Sequence, residues 1–565
     1  MHTTASNITL AAPSHAQAWQ ETLPTMLFGV LIYGYLFGYA TLNPANVAWM
    51  MQGDPAQHYL GWQFFRCEPW QWPLGRINSY GYPAGTTIVF SDAIPLLALA
   101  FKPFNALLGS EFQYFGLWIL SCYLLTGLFA QRLMGWFTPH PWLRMLGACL
   151  FILSPPMLMR GYGHEALMAH WLLLAAMHGF LAAWSPRKWL LLLVTAALTH
   201  PYLLLMVLGL WLASITPRQQ PLRASAWQAG GKQILLILPP LLLVMLAAGY
   251  LKPGGGGVAG EGYGFFSMNM LALIQPDFIG AQYGASRLIG DIGVATAGQY
   301  EGYLYLGAGM LLLGFVASLA CASRKLRPAA TAMPADNSLA LRNTWPLLMI
   351  AFAFWCLALS NQITLGPYHL ANVPLPASLH TALSTFRASG RLGWPLFYLL
   401  NLILLGGIVR HLTYRPALAL LSLALLLQVV DLSAKYKALR NFIHARSHWE
   451  TPLKSPAWSR WAADAERLIL LTPPAETAQI YLPFAELAAR RHLATNAAHT
   501  ARANEDQLTQ DVQQTRQALT QGRADPRTLY ILPAAQAWPS LPAALQARIS
   551  TQDGYAVLPP APPTP

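Results

Sequence analysis

Three carboxylates in this chain stand where chemistry is expected. Asp54 opens the stretch GDPAQHYLGWQFFR (residues 53–66), Asp92 lies in IVFSDAIPL (88–96), and Glu165 lies in SPPMLMRGYGHEALMAHWLLL (154–174). A carboxylate acts as a general base when it is within hydrogen-bond reach of the proton it removes, and a guanidinium fork beside it grips phosphate oxygens two at a time. Arg160 shares the Glu165 stretch. Arg387 and Arg391 are four residues apart in TFRASGRLGWP (385–395), on one face of any helix that carries both. Gln57 and His58 follow Asp54 and His164 precedes Glu165, which makes all three candidate substrate contacts.

Each of these residues also has a structural role open to it. Asp54 before Pro55 makes a good helix N-cap followed by proline at the first helical position. Asp92 either faces Asp54 as a second carboxylate or caps the helix that follows. Arg160 suits the anchoring of a span end, and the Arg387–Arg391 pair suits contact with lipid headgroups. His164 and Glu165 together with Asp54 are a candidate group for a divalent metal. However, His170 is six residues beyond His164, outside the helical i+3 and i+4 spacings, and no clear ligand set is evident. His178 and His200 read as packed or hydrogen-bonded polar groups.

The elements that must position these groups are membrane helices. A 565-residue chain that is 55% hydrophobic and only 10% charged is not a single water-soluble domain. Apolar runs near or above the roughly 17 to 20 residues needed to cross a bilayer occur at 24–42, 112–131, 143–159, 167–184, 233–250, 303–320, 344–360, 393–409 and 416–434. Residues 1–23 hold no Lys or Arg and no small-residue cleavage site follows the first run, so that run reads as a helix and not as a cleavable signal.

Lys and Arg in short loops mark the cytoplasmic side. Basic clusters lie around Arg132 and Arg144, Arg187 and Lys188, Arg218 and Lys232, Arg324 and Arg342, and Arg410 and Arg415. All can lie inside if 188–215 forms a tight pair of short spans turning at THPY (199–202), and if 93–109, interrupted by Lys102 and Pro103, lies along the surface. About eleven crossings result, with the N-terminus cytoplasmic and the C-terminus outside. A first outer loop at about 43–111 and a large one at about 251–300 then lie outside. Asp54, Glu68, Asp92, Glu111, Glu165, Glu261, Asp277, Asp291 and Glu301 fall in outer loops or at their edges.

Around Asp54 the loop is rich in Trp, Tyr, Pro and Gly, which points to packed structure rather than a charged fringe. The second loop begins KPGGGG (252–257), which serves either as a hinge for closure over substrate or as a tether. The net charge of +13 is accounted for by cytoplasmic loops beside anionic membrane lipids, and no nucleic-acid partner is called for. Of the five cysteines only Cys67 falls outside, so no intramolecular disulfide forms there, and no spacing suggests zinc.

Residues 1–439 are thus read as the transmembrane domain. From 440 to 565 the composition shifts to Ala, Gln, Arg, Thr and Pro without a spanning run, as in a water-soluble domain. Strands expected at 467–473, 491–496, 528–533 and 555–560 alternate with helical stretches at 476–490, 504–521 and 540–548, an α/β pattern ending in a disordered APPTP tail. This domain follows the last crossing and is expected on the extracytoplasmic side.

An aspartate just after the first helix, a long outer loop and a second acid motif two spans later resemble a GT-C glycosyltransferase. In that superfamily the first-loop acid is a catalytic base or binds a metal, and Asp54 stands at its position. The 154–174 stretch resembles the second outer loop of oligosaccharyltransferase catalytic subunits, with His164 and Glu165 at the place of the organising acid. GFFSMNMLALIQPDF (264–278), QYEGYLYLG (299–307) and TFRASGRLGWP look like bacterial YfhO-type membrane proteins and related uncharacterised families. The resemblance implies inverting transfer of a sugar from a polyprenyl-phosphate donor to an envelope glycan or lipid acceptor, at the outer face of a bacterial inner membrane. Neither a paired DxD in the first loop nor a WWD motif is present, which leaves metal and acceptor open. A flippase or transporter for lipid-linked glycans and a noncatalytic envelope-assembly protein are the alternatives; no internal repeat of the transporter kind is seen.

Overall fold

A computed structural model describes residues 15–217, 227–251, 262–277, 283–322, 343–501, 505–533 and 541–562. The KPGGGG segment, Glu261, the basic residues from Arg324 to Arg342 and the last three residues of the tail lie outside the described residues.

Among the described residues, five helices are long and apolar enough to cross a membrane: Phe115–Met134, Pro141–Arg160, Gln228–Ala248, Ser389–His411 and Tyr414–Ala445. Glu165–Leu181, Pro201–Ile215, Ala308–Ala320 and Trp345–Leu359 are shorter apolar helices, and so is Pro95–Leu107, the segment expected to lie along the surface. Proline marks the entry of many of them, with Pro141, Pro186, Pro201 and Pro395 in the first turn, where an imino nitrogen forfeits no helical hydrogen bond. Pro186–Ala197 and Pro201–Ile215 meet at residues 198–200, the turn expected at THPY.

The Gln228–Ala248 helix leaves Leu235 76%, Leu236 60% and Leu243 60% exposed. Such an apolar surface is stable against lipid and not against water, so the chain is a membrane protein. The N-terminal helix His15–Leu36 packs beside Phe115–Met134, and Arg144 holds Glu21 at 3.0 Å near the helix's start. Residues 262–307 are tied to the Tyr414–Ala445 helix by polar bonds, Lys435 to Asp277 at 2.6 Å and Tyr305 to Asp431 at 2.8 Å. That helix runs past residue 440, so the change in composition falls inside one continuous element.

Beyond it lies a five-stranded mixed sheet. In spatial order its strands are Ala494–Thr495, Arg467–Leu470, Thr528–Leu532, Tyr555–Leu558 and Ser550–Gln552. The first three are parallel and the last two pair antiparallel. Helices Pro474–Arg491 and Glu505–Thr520 make the crossovers. Ser550–Gln552 was not expected. It forms a hairpin whose Asp553-Gly554 turn has both residues at positive φ, the usual chemistry for that turn.

The segment that follows the first helix joins this sheet. Thr495 exchanges backbone hydrogen bonds with Ser79, Gly81 and Tyr82, and Tyr80 stacks on Phe64 at 4.7 Å, on the helix that begins with Asp54.

Candidate functional site

Asp54 is the first residue of the helix Asp54–Cys67, and the capping position belongs to Gly53, with no side-chain hydrogen bond closing the end. The capping role is therefore not what the carboxylate does. Its Oδ2 faces His164 Nε2 at 3.8 Å, and half of the side chain is exposed. One turn along, His58 Nδ1 meets Glu165 Oε2 at 2.7 Å, both 1% exposed. Two neighbours on one helix thus face two consecutive residues of the 154–174 stretch. Their close approach needs Gly163: its φ is +123°, and a Cβ there would sit 3.1 Å from Pro55. Trp118 Nε1 fixes the Glu165 carbonyl at 2.8 Å. Gln57 is buried on the same helix.

Asp92 does not cap the next helix either. Ile94 holds that position, and both Asp92 and Ile94 have φ of 52°, a conformation that costs a branched side chain of order 1–3 kcal/mol and turns the chain sharply. Asp92 Oδ1 instead faces His200 Nε2 at 3.6 Å, while His200 Nδ1 accepts from the Tyr202 amide at 3.2 Å. With Nδ1 an acceptor, a neutral His200 carries its proton on Nε2, toward Asp92. His200, read from the sequence as a packed or hydrogen-bonded polar group, is hydrogen-bonded as expected and also stands beside Asp92.

Electrostatics divide these groups. Burial opposes a charge on His58, but the bonded Glu165 carboxylate, with Asp92 and Asp54 beyond it, raises its pKa above 6.5. Burial, reinforced by Arg391, drops His164 and His200 well below that value. Burial raises Asp92 above 3.8, with His58 and Arg391 opposing and Asp54 and Glu165 adding to the rise. In Glu165→Gln the carboxylate is gone and burial dominates. The His58 titration midpoint is then expected to fall from above 6.5 to below it, read from ¹³C-histidine NMR of the labelled protein; an unmoved midpoint would show that Glu165 does not hold the proton there.

The arginines are arranged differently from the expectation. Arg391 grips Glu301 with Nε at 2.8 Å and Nη2 at 2.5 Å, and Arg160 Nη1 reaches the same carboxylate at 2.7 Å, all three buried. Burial works against the charge on Glu301, yet the two guanidiniums hold its carboxyl well below the usual range. Arg387 is exposed and lies over Phe266 at 5.4 Å. Arg387 and Arg391 do not share a helix face: the helix Ala377–Ser384 ends before Arg387, and Arg391 sits on a separate 3-10 turn, Ser389–Gly393. Gly390 in that turn permits close packing, since a Cβ there would lie 2.5 Å from the Gly302 Cα, the residue next to the Glu301 that Arg391 grips.

A cation close enough to act on both Glu165 and Asp54 is Arg446, just past the end of the Tyr414–Ala445 helix. Its guanidinium stacks on Phe442 at 3.7 Å and its Nη2 lies beside Gly53. Burial lowers its pKa, and the Glu165 and Asp54 carboxylates act against that. Nη1 is buried with no hydrogen-bond partner among the described residues. Among those residues, no group of three or more His, Cys, Asp and Glu is placed to hold a metal. Asp54 and Glu165 are turned to different histidines, so this donor set does not fit the metal role.

Residues 26–433 match the domain of unknown function DUF6311, and residues 457–560 match the DUF6311 C-terminal domain. The chain belongs to the DUF6311 family. No curated protein matches it. Among solved structures, this DUF6311 chain is similar to the oligosaccharyltransferase AglB of Archaeoglobus fulgidus, determined in complex with an inhibitory peptide and a dolichol-phosphate. The identity is 10% and the TM-score 0.37, over 92% of this chain and 70% of that one. It is also similar to the apo form of an Archaeoglobus fulgidus oligosaccharyltransferase, at 12% identity and a TM-score of 0.34, over 84% of this chain and 64% of that one.

Sequence reading passed over His200, Arg446 and the role of Glu301. A signal for His200 was present in its place before Pro201, where a side chain free to accept from the next turn closes a helix start.

Proposed function

We propose that this chain transfers a sugar from a polyprenyl-phosphate donor to a glycan or lipid acceptor of the bacterial envelope, at the outer face of the inner membrane. The observation that carries this reading is a half-exposed carboxylate, Asp54, facing a histidine kept neutral, with a stacked arginine, Arg446, beside the preceding Gly53. In this reading the acceptor hydroxyl gives its proton to Asp54 as its oxygen bonds to the anomeric carbon. The bond from that carbon to the donor phosphate breaks, and the phosphate leaves with the electron pair. Arg446 takes up the negative charge that develops, the task first assigned to Arg387 and Arg391. Asp92 with His200 and Glu165 with His58 hold the surrounding groups in position, and Gln57, His58 and His164 line the approach of the substrate. The reading counts eleven crossings, with the N-terminus inside and the terminal α/β domain outside beside the Asp54 loop.

Envelope glycans of cells lacking the protein, compared by mass spectrometry with complemented cells, test the reading. A sugar is expected to disappear on deletion, to return with the wild type and to return only weakly with Arg446→Ala. Glycans that do not change on deletion would reject transferase activity in favour of an assembly role.

A further inference from the structure

We propose that the cleft between the terminal sheet and the Glu505–Thr520 helix binds a neutral saccharide. Its cavity volume is about 430 Å³, within the range of ligand pockets. The floor is one face of two paired strands, with Arg467 opposite Thr528 and Ile469 opposite Tyr530. The helix roofs it with Asp511, Thr515 and Ala518, at helical spacing on one side, and Tyr82 and Pro83 of the first outer loop close one end.

The chemistry of the lining selects the ligand. Among the described residues its charged groups are Arg467, Arg523, Asp511 and Asp525, two positive and two negative, so this lining has no net charge with which to attract a phosphate, a nucleotide or a cation. Asp525 is already held by Arg467 at 2.7 Å. Asp511 differs: its Oδ1 accepts from Gln507 at 2.9 Å, but its Oδ2 is buried with no hydrogen-bond partner among the described residues. Leaving such an acceptor unpaired costs roughly 1–3 kcal/mol, so a ligand that brings a donor is favoured. Sugar hydroxyls both donate, as the Asp511 carboxylate requires, and accept, as the Arg523 guanidinium requires, whereas an ammonium only donates and a fully ionised phosphate only accepts. Tyr82, whose ring lies under the Arg467 guanidinium at 5.6 Å, adds the flat apolar face on which the C–H side of a pyranose packs.

This inference does not rest on the transfer reaction, because binding is measured without donor lipid; glycan retention without transfer would leave it standing and remove only the other reading. The test passes full-length protein in detergent over immobilised neutral oligosaccharides of hexose and N-acetylhexosamine, alongside anionic and phosphorylated ones. Retention of at least one neutral glycan is expected, weakened about tenfold or more in Asp511→Ala. Arg523→Ala, at an exposed position where the fold is not at stake, is expected to weaken it similarly. Retention of charged glycans alone, of none, or of neutral glycans equally by both variants would overturn the proposal.

Discussion

Asp54→Asn is expected to lower sugar transfer by about 10²- to 10⁴-fold, the range associated with a positioned general base, while the protein accumulates and unfolds as the wild type does. The two halves of this expectation come from different observations. Asn has the shape of Asp but cannot accept the proton of an attacking hydroxyl, so the chemistry is lost. The fold is spared because half of the side chain is exposed and it closes no helix end. Among the described residues, the ion-pairing side chain within 4 Å of it is His164, at 3.8 Å, and burial already keeps that ring neutral. Initial rates with purified protein and a synthetic polyprenyl-phosphate sugar, set beside thermal unfolding of both proteins, separate the outcomes. Wild-type rates in the variant would remove the base assignment. Loss of rate together with loss of fold would make Asp54 a structural residue.

Glu301→Gln is expected to do the opposite, destabilising the protein before any question of rate arises. The carboxylate answers two buried guanidiniums, and Gln in its place leaves Arg160 and Arg391 with uncompensated charges. Removing one partner of a buried ion pair costs roughly 3–5 kcal/mol, much of it the penalty on the charge left behind. Thermal unfolding in detergent should show the drop. The triple variant with Arg160→Gln and Arg391→Gln should recover part of it, because no buried charge then lacks a partner. A single variant as stable as the wild type would mean that water or lipid phosphate reaches the two arginines.

The comparison of these two acids shows what sequence can and cannot carry. Asp54 was legible because its signal is local: an acid and a proline just after an apolar run, ahead of a loop rich in aromatics. Glu301 was legible only as one outer acid among nine, since its partners lie 141 and 90 residues away along the chain. Arg391 was misread for a related reason. A spacing of four puts two residues on one helix face only where the helix is continuous, and here the helix stops at Ser384 while Arg391 sits on a later turn that packs on Gly302 through Gly390. His200 was set aside because its partner Asp92 comes from a loop 108 residues earlier, as 200 − 92 gives. The terminal strands, by contrast, could be placed from runs of branched and aromatic residues between turn signals, and only the short Ser550–Gln552 strand escaped, although its Asp-Gly turn was in plain view.

The backbone bonding of Ser79, Gly81 and Tyr82 to Thr495 sets an order on the birth of the molecule. The loop that carries Asp54 leaves the ribosome early, but the edge it completes is made 415 residues after Tyr80, as 495 − 80 gives. At ordinary synthesis rates of about 5–20 residues per second, that is a wait of roughly 20 to 80 s. Until then Tyr80 and its neighbours have no strand to pair with. A chain cut short anywhere before Thr495 would display its membrane helices with this edge of the Asp54 loop unpaired, so the loop is completed only once nearly all of the protein has been translated.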